Sequence, residues 1–165
     1  MIARSIGVAV ALLFLSAGAR AGERGAQTKG SSVTVTPEDV KWGPGPKSLP
    51  PGVQAAVLDG NPAEKGTFAM RLKVPAGYRI APHTHPRQER VTVIAGRFQL
   101  GHGRTFDETK LQDLEAGSFF SLPPGMEHFA RAAEDTIVQL NGEGPWEIKY
   151  VNPTDDPRKA GSAGR

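Results

Sequence analysis

The sequence predicts an all-β sandwich or barrel, and three observations carry that expectation. Glycine and proline together supply 34 of the 165 residues, about a fifth against a usual share near 12%, which disfavours long helices. Apolar and polar residues alternate: over residues 67–74, Phe68, Met70, Leu72 and Val74 take one face while Thr67, Ala69, Arg71 and Lys73 take the other, as in a half-buried strand. Short runs of this kind recur, and turn residues separate nearly all of them.

Taken in order, the chain opens with Arg4 and an apolar run from Ile6 to Leu15, followed by Ala19-Arg20-Ala21. This is the pattern of a secretory signal peptide over residues 1–21, which implies a periplasmic or secreted bacterial protein. The run is too short for a stable membrane anchor; the alternative is an uncleaved anchor or a buried helix. The chain carries 20 basic and 17 acidic residues. Removal of Arg4 and Arg20 leaves 18 and 17, a net charge of +1, interspersed rather than gathered in a basic stripe, so no nucleic-acid partner is expected. With no cysteine anywhere, a disulfide framework, a thiolate metal site and a cysteine nucleophile are excluded.

Residues 22–32, GERGAQTKGSS, read as a flexible leader, and residues 33–152 as the single β domain. Within it, KWGPGPKSLPPG (residues 41–52) must run extended or turning over a surface, with Trp42 as its anchor. Strands are expected at residues 53–58, 67–74, 90–94, 97–100, 118–122, 128–131, 136–140 and 146–151. Asp59-Gly60, Pro75-Ala76-Gly77, Ala95-Gly96, Ala116-Gly117, Pro123-Pro124-Gly125 and Asn141-Gly142 mark the turns between them. Thr105 and Glu108 are spaced as a capping box and Leu111 and Leu114 lie three apart, so residues 106–115 are expected to form a turn or two of helix. Residues 153–165 read as a frayed polar tail.

The chemistry-bearing residues are three histidines and a glutamate. His83 and His85 are one residue apart, so in a strand both imidazoles face the same way. Pro82 and Pro86 push the residues before them toward extended geometry. Glu89 shares their parity, and His128 follows a proline-glycine turn, Pro123 to Met126, of type II character. Three neutral imidazoles and a carboxylate suit one divalent transition metal ion: Fe, Mn, Ni, Zn or Cu. An octahedral ion would keep two positions open for water or substrate. The plain alternative is a metal-free barrel whose polar residues hydrogen-bond one another, with Glu89 paired to Arg87 or Arg90 at the surface.

Other candidates read more modestly. His102, between glycines, is expected as an exposed loop residue rather than a fifth ligand. Gln99, Gln139 and Asn141 either orient ligand imidazoles or contact substrate, or else lie on a sheet's solvent face. Met70, Phe98, Phe119, Phe120 and Phe129 are expected in the core, with one or two of them at the pocket mouth, and Trp146 in packing.

At the histidines the chain resembles the cupin superfamily. Gly77-YRIAP-His83-Thr-His85-PRQ-Glu89-RVTVIA-Gly96 matches the first cupin motif at every fixed position, and Gly117-SFFSL-Pro123-Pro-Gly125-ME-His128 matches the second. Twenty residues separate them, Arg97 to Ala116. Where the second motif usually ends in asparagine stands Ala132, so one polar contact is lost while the ligand positions are kept. The phrases GPWEIKYVNP and DDPR resemble the endings of secreted bacterial cupins. The resemblance covers about a third of the chain directly. It implies a double-stranded β-helix (jelly-roll) barrel with a metal in its mouth, His83, His85, Glu89 and His128 as ligands, and a homodimer. A metal-dependent enzyme acting on a small organic molecule follows as the expectation, of dioxygenase, isomerase or lyase type, with Glu89 also a catalytic proton carrier. The alternative is a non-catalytic module that binds or senses a small molecule or metal; a storage scaffold is a third reading. Fold by itself does not decide among them.

Overall fold

Among the described residues, eleven strands, Gly43–Pro44 (β1), Gln54–Asp59 (β2), Gly66–Val74 (β3), Arg79–Thr84 (β4), Glu89–Ala95 (β5), Arg97–His102 (β6), Gln112–Glu115 (β7), Phe119–Leu122 (β8), His128–Ala132 (β9), Thr136–Gly144 (β10) and Lys149–Tyr150 (β11), fold into two antiparallel sheets. The computed structural model describes residues 32–159. The expected signal peptide (residues 1–21), nearly all of the leader (22–32) and the last six residues lie outside them.

One sheet has the order β1-β2-β3-β10-β5-β8 and the other β11-β4-β9-β6-β7, the arrangement of a double-stranded β-helix barrel. Strand register turns the alternating sequence into rows of apolar side chains. Across the first sheet Met70 pairs with Leu140, Leu140 with Val91, and Val91 with Phe120, while Leu72, Val138 and Val93 form the next row. Ile80, Ala130 and Leu100 form a row in the second sheet. Phe98 of that sheet stacks on Phe120 of the other at 6.2 Å between ring centroids. These side chains make the core that the period of two predicts.

Strand β4 departs from simple alternation in a way that matters for the site. Its register with β9 slips between Ile80, opposite Ala130, and His83, opposite His128. In an unbroken strand, residues three apart would face opposite sides; the bulge lets both Ile80 and His83 line the interior.

Several expectations are corrected. Residues 106–115 form no α-helix: a single 3-10 turn at Glu108–Lys110, capped by Asp107, leads into β7. Arg79 and Arg131 face each other across β4 and β9, and Glu108 on that turn bridges both. The guanidinium of Arg79 also lies over Phe106, which packs on Phe129. These tertiary contacts override the helical spacing of Leu111 and Leu114. Asn141-Gly142 is no turn, because β10 continues to Gly144 with β3 on one side and, through Asn141, β5 on the other. Only Lys149–Tyr150 of residues 146–151 pairs as strand.

Phe119 is 60% exposed, since it lies on the outer face of an edge strand rather than in the core. The tail is not frayed at its start. The Asp156 carboxylate is buried and accepts from Arg158, whose guanidinium also donates to the carbonyl of Ile148 at 3.0 Å.

Candidate metal centre

His83, His85 and His128 are each 5% exposed or less, and their candidate ligand atoms all lie within 4.8 Å of one another. Strand β4 delivers His83. His85 stands just past its end, before Pro86, and His128 opens β9 opposite His83. The turn ahead of His128 has the predicted form: Met126 N–H donates to the carbonyl of Pro123, and Gly125 takes φ +78°, a conformation that costs glycine little and other residues more.

The second ring nitrogens fix the chemistry of the first. Nδ1 of His83 lies 2.7 Å from the carbonyl oxygen of Ala81, Nδ1 of His85 lies 2.7 Å from that of Glu147, and Nδ1 of His128 lies 3.0 Å from that of Met126. A carbonyl only accepts, so each Nδ1 carries a hydrogen and Nε2 is the nitrogen that each ring turns toward the cluster. Burial, with His128 and His85 nearby, pushes His83 down to about 3, so it stays neutral at ordinary pH. Burial lowers His85 as well.

Glu89 completes the group. Its carboxylate oxygens lie 3.5 Å from Nε2 of His85 and 3.3 Å from Nε2 of His128, and its side chain is 10% exposed. Burial opposes ionisation, but the hydrogen bond to His128 and the charges of His85, His128 and His83 outweigh it, so the carboxyl sits below its ordinary value. Nε2 of two imidazoles therefore faces the oxygens of a carboxylate across about 3.4 Å, an arrangement that a positive charge between them satisfies: a proton on a ring, or a metal ion held by all of these groups. The Nε2 of His85 has no hydrogen-bond partner among the described residues, and leaving a buried polar atom so costs about 1–3 kcal/mol. Two donors at about 2.1 Å from one ion stand roughly 3.0–3.5 Å apart, so the spacing suits a divalent transition metal, and the all-nitrogen-and-oxygen set agrees.

The other polar candidates fall elsewhere. Gln99 bonds Arg131 and Asp113, and Gln139 bonds Arg71 and Asn141; these amides serve the outer faces of the sheets. His102 pairs in register with His128 but its side chain is exposed. Two residues mattered more than the sequence indicated. Trp146 stacks on His85 at 5.4 Å and 22°, with its indole N–H unpartnered among the described residues, so it belongs to the site as well as to packing. Leu49, in the proline-rich segment, reaches the same cavity. Neither position carries a local signal.

The cavity has a volume of about 40 Å³, room for an ion with a few further atoms. Apart from His83, His85, Glu89, His128 and Trp146, its walls are wholly apolar, including Leu72, Val91, Phe98, Phe120 and Leu140.

Barrel and histidine cluster together define a cupin. The sequence model of Cupin_7, the ChrR cupin-like domain, matches residues 30–147, and the chain belongs to that family. Germin-like protein 9-3 of Oryza sativa subsp. japonica is 38% identical over 64 residues, covering 38% of this chain and 29% of that protein. This chain therefore matches less than a third of that relative's length. Among solved structures, a proposed acetylacetone dioxygenase from Methylibium petroleiphilum PM1 superposes with a TM-score of 0.60 at 20% identity, over 79% of this chain and 88% of that one. The polyketide cyclase RemF from Streptomyces resistomycificus gives 0.58 at 18% identity, over 78% and 92%. At these identities the likeness is one of fold.

Proposed function

We propose that this cupin is a metal-dependent enzyme acting on a small, largely apolar organic molecule that bears an oxygen donor. The observation that carries the reading is the convergence of three imidazoles and a carboxylate inside an otherwise apolar chamber. His83, His85, Glu89 and His128 are the residues that would hold the ion. Once bound, the ion supplies Lewis acidity toward a carbonyl or enolate, or a place for dioxygen beside the substrate. The chain's own contribution is threefold. Backbone carbonyls hold three imidazoles in one tautomer, the aliphatic walls exclude water from the reacting group, and Trp146 supports His85 from behind.

Glu89 is the one anionic group in the chamber. It is proposed to carry a proton on a carboxylate oxygen during turnover, a role for which a positioned carboxylate is suited. A Glu89→Gln variant that kept both its metal and full turnover would remove this role. The relatedness in fold to a proposed dioxygenase and to a polyketide cyclase is consistent with chemistry on oxygenated carbon skeletons. The amino-terminal signal pattern supports export, so substrate would be met in the periplasm or outside the cell.

Elemental analysis of protein purified from its native envelope, followed by oxygen-uptake assays against a metabolite panel, tests the proposal. Bound iron with substrate-dependent oxygen uptake supports an oxygenase. A bound metal with substrate turnover but no oxygen uptake supports isomerase or lyase chemistry. Bound zinc with no turnover across the panel would instead support the non-catalytic binding module.

A further inference from the structure

The metal chamber lies against a second space. A groove of about 590 Å³ runs along the proline-rich segment, lined by Pro44 to Lys47, Leu49 to Val53, Pro157 and Arg158. Leu49 lines both the groove and the chamber. It is 4% exposed, so its side chain fills the place where the two would join. A smaller hollow of about 130 Å³ meets the chamber at Val74.

These two side chains differ in how they are held. Val74 ends β3 and pairs with Thr136 of β10, so moving it disturbs a sheet. Leu49 stands outside both sheets on a strap, residues 45–53, in which Pro46, Pro50 and Pro51 have no N–H to donate. The strap is fastened by Gly45 N–H to the carbonyl of Val53, by Leu49 N–H to that of Pro46, and by two tyrosine hydroxyls. Tyr78 donates to the carbonyl of Pro50 at 2.5 Å and Tyr150 to that of Ser48 at 2.8 Å. Those two bonds flank Leu49 and tie the strap to Tyr78, just ahead of β4, and to Tyr150 of β11. Tyr150 in turn packs its ring against His83, 5.9 Å between centroids.

We infer that this strap is the door of the chamber and that Leu49 is the side chain that must swing aside to admit an ion or a ligand, and so limits ligand size. The inference rests on the metal-centre reading above. It assigns to the proline-rich segment a task beyond covering a surface. The prolines keep the strap extended when open, and the leucine closes the apolar wall when shut. Shortening the side chain leaves the ligand set untouched and removes the obstruction, so passage should quicken in both directions while affinity stays the same.

The test uses the full-length protein and Co²⁺ alone, with loading followed by visible absorption and release followed into a chelator. Rates should rise in the order Leu49, Leu49→Val, Leu49→Ala, by about tenfold or more at the end of the series, as removal of most of one buried leucine contact implies. The dissociation constant should stay within about twofold. Leu49→Val keeps the series readable if Leu49→Ala folds poorly, and circular dichroism checks each variant. Leu49→Phe should slow both rates. Equal rates across the series overturn the inference, as does acceleration by Val74→Ala in place of Leu49→Ala, or faster release with unchanged loading, which is a loss of affinity rather than an opened passage. In each of these cases the metal reading survives. Wild-type protein that takes up no divalent metal overturns that reading, and this inference with it.

Discussion

His85 shows how far one side chain can determine a site. Its Nδ1 is committed to the carbonyl of Glu147, its ring is covered by Trp146, and its Nε2 faces Glu89. Close packing imposes equally tight constraints a few residues away. Gly101 on β6 lies against the ring of Phe129, which is 0% exposed, and a Cβ at this glycine would fall inside the van der Waals envelope of that ring. Gly101→Ala should therefore destabilise the fold by about 1–3 kcal/mol, read as a lower urea midpoint at unchanged slope. Because Gly101 pairs with Phe129 and the next residue with His128, metal affinity should fall with it.

Among the elements, the strap and the bulged strand β4 shape the chamber most. Burial, with Tyr150 beside it, holds the Tyr78 hydroxyl above its ordinary value, which is about 10. A raised folded-state value means that this contribution to stability is complete below about pH 10 and is lost as the pH climbs toward the folded-state value. Urea titrations should show stability falling above pH 10, and Tyr78→Phe should flatten that fall while costing about 1 kcal/mol at neutral pH for the bond to Pro50. A slope unchanged by the substitution would contradict the assignment. At the start of β4, Glu108→Ala should leave Arg79 and Arg131 opposed. A loss of up to about 1 kcal/mol is expected, fading in high salt.

The elements also show what a sequence can and cannot carry. Alternation located the long strands, and motif spacing singled out His83, His85, Glu89 and His128, because a turn or a strand fixes neighbours along the chain. The structure brings all four together. The bulge in β4 and strand β7 were not legible, since each is held by partners on other strands. The same holds for Trp146, 61 residues from the histidine it covers, and for Leu49, whose importance comes from the cavity behind it. Asn141-Gly142 has strong turn chemistry, yet pairing with β3 and β5 keeps it extended.

At the scale of the whole domain, the barrel surrounds a small polar cluster with walls that are otherwise apolar. A ligand that binds the folded state alone stabilises it, by about 2.7 kcal/mol at one hundred times its dissociation constant. Restoring the ion to chelated protein should accordingly raise the melting temperature by roughly 5–11 °C, with no change in far-ultraviolet circular dichroism at room temperature. The most direct test of the account is metal stoichiometry measured side by side in wild-type protein and in His128→Ala. The account predicts one divalent transition ion per wild-type chain and, in a variant that remains folded, a loss of affinity beyond the 10–100-fold seen when an outer-shell partner is removed. A wild-type protein without metal, or a His128→Ala variant with its metal content intact, would contradict it.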